Sequence, residues 1–425
     1  MGLGLALDFL PRPSGILRRR ATAEALGRAL LDEAVNAWPL LDGFACIRAH
    51  EGCWLMQLVP CEEEVQVEQI ENRVRFSART STCGPGYHAF LVGLLDRVAQ
   101  KDGGAWHDAG AEEDSTLLDE TGYFEERDFA RLQRSMSDWL RALGSSVAGG
   151  ELSDSSRICM PLDSPDTLEP GMLTPAEVRP RGFFANLAQL EGEALECAAA
   201  EWFAWWNEGT QAASLGLARA LLFQLPWHVP STDGERAQSS FALACLAAVP
   251  PETPFGGDPA SVLRRELQAL VAPNASDGAP RTGGFGYRRG LVRFHPHANC
   301  AVTLPGYWYR TVEDDESVAG YWHGERALHL SSYSVHAEGR PRSAASILAE
   351  QLARRPSTAV WHCEWTEDQN PGVAWCERRE SDEVFYVLTV FKAADGALIH
   401  ATLTYTREAD HDWAKETAAG IRAAK

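Results

Sequence analysis

The segment STCGPGYHAF, residues 81–90, combines residue types that could do covalent chemistry. Cys83 lies where a strand-like stretch gives way to a helix that opens with Gly-Pro-Gly. A thiol at a helix N-terminus experiences the positive end of the helix dipole and unpaired backbone N–H groups, which lower its pKa and offer an oxyanion hole. Catalysis would need a histidine base from a later strand, and His400 or His362 would supply the required side chain.

Two other interpretations of this segment stay open. Gly84 and Gly86 allow a backbone or an anion to approach closely, which favours a ligand carboxylate or phosphate at the helix N-terminus with His88 one turn further on. In the purely structural interpretation, Ser81 or Thr82 caps the helix and the cysteine is a small buried residue.

The string CGPGYHAFL resembles the nucleophile segment of papain-like bacterial cysteine peptidases, in which Cys-Gly-Pro opens the central helix. The chain departs from that pattern because the residues before Cys83 are FSARTST, without the glutamine that completes the oxyanion hole. The candidate bases also fall in a different predicted domain. A cysteine hydrolase or transferase that uses Cys83 and His400 is therefore the alternative hypothesis.

A second candidate is a cluster of indoles. Trp202, Trp205 and Trp206 fall at helical positions i, i+3 and i+4. Two of them are expected to enter the core, but three indoles in five residues exceed what one helix face needs. Tryptophan is enriched at interface hot spots, so the cluster predicts a partner-binding surface.

No cofactor or metal is predicted. The ten cysteines include no Cys-x-x-Cys pair, which argues against a zinc ribbon and a thioredoxin-type site. His295, His297 and Cys300 have no standard metal-ligand spacing. The glycine-rich GGFGYRRG precedes a strand instead of a helix, so a dinucleotide loop is excluded by context.

Composition limits the class of partner. The chain of 425 residues has 39 basic and 59 acidic residues and a formal charge of −20, which disfavours nucleic acid. The one basic cluster, at residues 18–20, is short. No apolar run is long enough to span a membrane, and no convincing signal peptide opens the chain, so a cytoplasmic location is expected.

Apolar periodicity divides the chain into three units, and the predicted class is α+β. Residues 1–146 form helices on a small antiparallel sheet, with a meander of about four strands. Residues 147–182 are a linker or irregular wrap, rich in proline. Residues 183–275 form a helical unit, with a helix start at Asp258-Pro259.

The last unit, residues 285–425, alternates strands with two helices near 343–354 and 411–423. The run VFYVLTVF is apolar without alternation and predicts a central strand that is buried on both faces. The residues ADG at 394–396 predict a hairpin turn.

Three strings in this unit carry a resemblance, namely AVTLPGYWYRTVEDD, ALHLSSYSV and FKAADGALIHATLTYTREADHDWAKETAAGIRAAK. Residues 301–425 resemble the PsbP-like family, which includes Mog-like and DcrB-like proteins and chaperones of secreted bacterial effectors. The resemblance implies an antiparallel sheet flanked by helices and protein binding without catalytic residues. Strings such as GPGYH and FAWWNEG resemble only bacterial proteins of unknown function.

These observations together predict a bacterial, non-enzymatic binding protein. It would act as an immunity or adaptor/chaperone protein for another polypeptide, and we expect that polypeptide to be encoded nearby.

Overall fold

The computed structural model has the predicted α+β architecture. It describes residues 2–11, 22–60, 62–108, 119–151, 158, 171–276, 278–297, 299–312, 318–366, 370–381 and 383–423. The basic cluster at 18–20 and most of the predicted linker between 152 and 170 lie outside the described residues. Among the described helices, none is long and apolar enough to cross a membrane.

Six antiparallel strands form the N-terminal sheet in the order β2-β3-β4-β5-β1-β6. The alternating run RVRFSAR of β5 buries Val74 and Phe76 on the face that packs on helices. The predicted meander corresponds to β2–β5. The sequence interpretation missed β1 and β6, which extend the sheet beyond β5. The strands are β1 (Gly4–Pro11), β2 (Cys46–His50), β3 (Cys53–Gln57), β4 (Val65–Ile70), β5 (Arg73–Arg79) and β6 (Gly104–Asp108).

Helices pack on one side of this sheet. The predicted helix after residue 21 begins where the Thr22 side chain accepts a hydrogen bond from the Ala25 N–H. The helices of this part are α1 (Ala23–Ala37), α2 (Pro85–Asp102), α3 (Tyr123–Glu126) and α4 (Phe129–Ala148).

The central part is helical, with two corrections to the predicted boundaries. The apolar run from 183 to 206 forms two helices instead of one, and the second ends at Trp202, so Trp205 and Trp206 lie beyond it and not at the predicted helical spacing. Asp258-Pro259 is a short strand instead of a cap, because the Asp258 carboxylate binds the Phe285 N–H and the Arg281 guanidinium. The elements are β7 (Met172–Leu173), β8 (Val178–Arg179), α5 (Arg181–Leu187), α6 (Gly192–Trp202), α7 (Thr210–Gln224), α8 (Asp233–Ala247), β9 (Pro254–Phe255), β10 (Asp258–Pro259) and α9 (Ala260–Leu270).

One continuous hydrophobic core joins the N-terminal sheet to the central helices. The Trp38 ring lies 5.3 Å from that of Trp205 and 5.9 Å from that of Phe241, measured between centroids. The two units were predicted as separate domains, since periodicity identifies an apolar face but not what covers it. They bury their faces against each other.

The glycine-rich connection before the C-terminal unit is packed, although its composition is that of a linker. The Arg289 guanidinium lies 3.4 Å from the centre of the Trp227 ring and 2.7 Å from the Glu266 carboxylate. Further on, the Tyr309 hydroxyl donates to the Val229 carbonyl at 3.1 Å. These contacts hold the C-terminal unit against the helices.

The C-terminal unit contains a seven-stranded sheet in the order β13-β14-β15-β21-β20-β19-β18 and a three-stranded sheet in the order β11-β12-β22. The predicted central strand VFYVLTVF is β20, inside the larger sheet, and Asp395-Gly396 form the turn to β21. The elements are β11 (Leu291–His297), β12 (Cys300–Pro305), β13 (Tyr309–Val312), β14 (Val318–His323), β15 (Arg326–Ser334), β16 (His336–Ala337), β17 (Arg340–Pro341), α10 (Ala344–Ala353), β18 (Trp361–Trp365), β19 (Gly372–Glu380), β20 (Val384–Ala394), β21 (Ala397–Tyr405), α11 (His411–Gly420) and β22 (Arg422–Ala423).

Candidate functional site

Helix α2 opens at Pro85, with Gly84 as the residue before it at φ +121°. Only glycine adopts this conformation without strain. The predicted side-chain cap is not formed, because the Ser81 hydroxyl accepts a hydrogen bond from the N–H of Leu3, the residue before β1. The Thr80 carbonyl instead accepts the N–H groups of Cys83 and Gly84.

The helix start is covered by the segment after α6. The Trp205 N–H donates to the Cys83 carbonyl, and the Gly86 N–H donates to the Trp205 carbonyl, both at 2.9 Å. A Cβ atom on Gly86 would lie 2.2 Å from Trp205 Cδ1, and one on Gly84 would lie 2.7 Å from Phe203 Cβ. The two glycines therefore admit a neighbouring chain segment, residues 203–207, at the helix start where the sequence predicts an anion.

The proposed catalytic pair is not assembled. Cys83 is fully buried in the first hydrophobic core. His400 lies on β21 of the C-terminal sheet, where its ring stacks on Phe391 with centroids 4.8 Å apart. Burial lowers the pKa of His400. His362 is on β18 of the same sheet, opposite Trp375. Both candidate bases thus lie on strands of the C-terminal sheet, whereas the thiol lies just before α2 in the first core.

His88 belongs to a buried polar network. Its Nδ1 lies 3.0 Å from the Thr80 hydroxyl, and its Nε2 lies 3.4 Å from the Thr121 hydroxyl and 3.5 Å from Asp119 Oδ1. Burial lowers its pKa from 6.5 to about 4, although the Asp119 charge opposes the shift. A neutral ring at pH 7 thus links α2 to Thr80, which follows β5, and to Asp119 and Thr121, which precede α3.

The three indoles have different environments. Trp205 is fully buried between Trp38 and Phe90, and Trp202 is 7% exposed against Phe184. Trp206 is partly exposed and stacks on Phe203, with ring centroids 6.0 Å apart and planes at 10°. Two indoles therefore enter the core, as expected, and the third remains at the surface.

A groove of about 490 Å³ opens beside Trp206. The aromatic side chains of Trp202, Phe203 and Phe255 line the groove. Leu215 of α7 also lines it, and 43% of the surface of Leu215 is exposed. Small residues also line the groove, namely Ala200, Ala204, Ala212 and Gly216.

Charged groups border this groove on two sides. The Glu177 carboxylate binds both Arg179 and Arg219, so a single acid partly neutralises two guanidinium groups. Burial lowers the pKa of Arg219. On the α6 side, Glu201 lines the groove and is exposed to solvent. The groove is an apolar cleft with a charged rim and is suited to an apolar side chain of another molecule.

The sequence did not point to Phe203 or Leu215. Phe203 follows the last residue of α6 and takes an extended conformation, so helical spacing assigns it wrongly. Leu215 lies on α7, whose exposed and buried faces are both apolar. Hydrophobic periodicity therefore does not distinguish an exposed leucine from a buried one on this helix.

The remaining candidates are structural. Cys300 is buried, and burial raises the pKa of its thiol to about 12. His297 Nε2 lies 3.3 Å from the Leu330 carbonyl. Within the described part of the chain, no group of three His, Cys, Asp or Glu side chains is placed to hold a metal ion.

No protein-family model and no curated protein matches the chain. Solved structures similar to part of it include a protein from Bacteroides thetaiotaomicron VPI-5482, at 14% identity and a TM-score of 0.27 over 32% of this chain. The match covers 49% of that protein, so this chain spans about half of its length. The solution structure of cyanobacterial PsbP (CyanoP) from Synechocystis sp. PCC 6803 is also 14% identical, with a TM-score of 0.25, over 34% of this chain and 98% of that one.

Proposed function

We propose that this protein is a non-enzymatic binding protein, an immunity or adaptor/chaperone protein that holds another polypeptide. The supporting observation is the open groove at the end of α6, where Trp206 and Leu215 stay partly exposed while the neighbouring thiol of Cys83 is buried. A cleft lined by large apolar side chains is the type of pocket in which hot-spot residues of a partner pack.

The proposal predicts a stable stoichiometric complex with one protein of the native host, encoded near this one. A photo-crosslinking amino acid at position 215, in the groove, should capture that protein. The same amino acid at position 291, where Leu291 is 63% exposed on β11, is the matched control and should not capture it.

The variant Leu215→Asp should abolish recovery of the complex, whereas Cys83→Ala should leave it intact. Recovery of no stoichiometric partner, or equal crosslinking at both positions, would contradict the proposed function. Turnover of a bound polypeptide that is lost in Cys83→Ala would favour the hydrolase alternative instead.

A further inference from the structure

We infer that the groove binds a basic amphipathic helix, in which an aliphatic side chain is flanked by Lys or Arg. This inference rests on the proposed function, because it specifies the chemistry of the partner for the same groove. Three properties of the groove and its surroundings support it: apolar lining, acidic charge and the shape of the adjoining helix.

The lining selects an apolar side chain. Trp202 and Phe203 are buried beneath the groove, and the exposed part of Leu215 is unfavourable in water until a partner covers it. The volume of about 490 Å³ lies in the range of about 300–1,000 Å³ that is common for binding clefts. An aliphatic side chain such as leucine, isoleucine or methionine matches this apolar lining.

The charges select basic neighbours for that side chain. The solvent-exposed face of α6 carries the carboxylates of Glu193, Glu196 and Glu201, and Glu201 is part of the groove itself. On the opposite side, the single carboxylate of Glu177 binds both Arg179 and Arg219, so the negative charge near the groove lies along α6. The whole chain has a formal charge of −20. A cationic segment is therefore attracted over long range and along α6, whereas an acidic one is repelled.

The surface of α6 favours a helical partner segment over a bulky loop. Between its carboxylates, the exposed residues Ala194, Cys197 and Ala200 follow one another at a spacing of three along the helix. Such small side chains let the axis of a second helix approach closely while its aliphatic residue enters the groove beside Ala200. The aliphatic and basic residues of the partner then lie on one helical face, which is the pattern of an amphipathic helix.

The test uses two synthetic peptides with the same leucine pattern, each of about 14 residues so that a helix can form. One carries lysine at every polar position, and the other carries glutamate. Binding to the full-length protein is measured by fluorescence anisotropy of the labelled peptides. We expect saturable binding of the Leu/Lys peptide and at least about tenfold weaker binding of the Leu/Glu peptide.

Variants separate the apolar contribution from the electrostatic one. Leu215→Asp should weaken binding of the Leu/Lys peptide about tenfold or more, although it adds a negative charge that would strengthen purely electrostatic binding. Glu201→Lys should weaken it about threefold or more. The control Leu291→Asp adds the same charge outside the groove and should change the affinity less than about twofold. Circular dichroism checks that each variant is folded.

Equal binding of both peptides, or no loss in Leu215→Asp, overturns the inference. If neither peptide binds but position 215 still crosslinks to a stoichiometric partner, the proposed function stands and the basic-helix inference fails. If the Leu/Lys peptide binds in the groove but no polypeptide partner of the native host exists, the proposed function fails and the groove chemistry stands.

Discussion

Replacing Gly86 with alanine distinguishes the packing role of the Gly-Pro-Gly helix start from the ligand-binding role that its sequence favoured. A Cβ atom at this position would lie 2.2 Å from Trp205 Cδ1 and 2.3 Å from the Asn207 carbonyl oxygen. Real Cβ contacts are never so short, so the segment from 203 to 207 must move away from α2. Trp205 is buried and the contact with Asn207 is to its backbone, so moving either residue costs folding free energy.

The magnitude follows from two unfavourable contributions and one favourable contribution. Overpacking in a close-packed core costs typically about 1–3 kcal/mol. Moving the segment also weakens the hydrogen bonds that join Trp205 to Cys83 and Gly86, each worth about 1 kcal/mol. The higher helix propensity of alanine returns up to about 1 kcal/mol. The expected net loss is about 3 kcal/mol in the free energy of unfolding.

Urea unfolding followed by tryptophan fluorescence measures this loss, because Trp38 and Trp205 are in contact in the first core. The matched control is Gly182→Ala in α5, where a Cβ atom would meet nothing within 4 Å. That variant should be unchanged or more stable by up to about 1 kcal/mol. A Gly86→Ala protein as stable as the wild type, together with stabilisation of the wild type by phosphate, would refute the packing role and restore the anion site.

Further predictions concern groups that titrate or react. Burial lowers the pKa of His88 from 6.5 to about 4 in the folded state. Because the unfolded state binds the proton at a higher pH, the free energy of unfolding is highest above pH 6.5 and decreases by about 3 kcal/mol as the pH falls toward 4. In His88→Gln, unfolding free energies measured across this range should depend less on pH; an unchanged pH dependence would show that the histidine does not titrate as inferred. Burial raises the pKa of Glu62 well above 4.5, so its ionisation destabilises the fold as the pH rises. Glu62→Gln should therefore gain stability relative to the wild type between pH 5 and pH 8 in urea unfolding, and a constant difference would argue against this shift. Under native conditions iodoacetamide should modify the exposed Cys46 and Cys197 well before Cys83, as read by mass spectrometry of peptides. Preferential modification of Cys83 would reopen the hydrolase hypothesis.

Much of the local structure followed from periodicity and from turn residues. Helices α1, α2, α4, α10 and α11 and the hairpin at Asp395-Gly396 were predictable because each depends on residues close in sequence. Strands β1 and β6 were missed because each is specified by a distant partner. For example, Leu7 of β1 lies opposite Phe76 of β5 and Asp108 of β6. A short apolar run carries no signal that distinguishes such a strand from a loop.

The sequence alone determined that this chain is an acidic α+β protein with an unusual helix start at CGPG and an excess of indoles at 202–206. It did not reveal that these two features contact each other, since they are about 120 residues apart. Tertiary packing places the Trp205 backbone on Gly84 and Gly86, which buries Cys83 and leaves Trp206 beside an open groove. A sequence specifies which reactions and contacts each side chain can make, but solvent accessibility decides which of them occur. Accessibility depends on which distant segment covers a residue, and local patterns do not encode that choice.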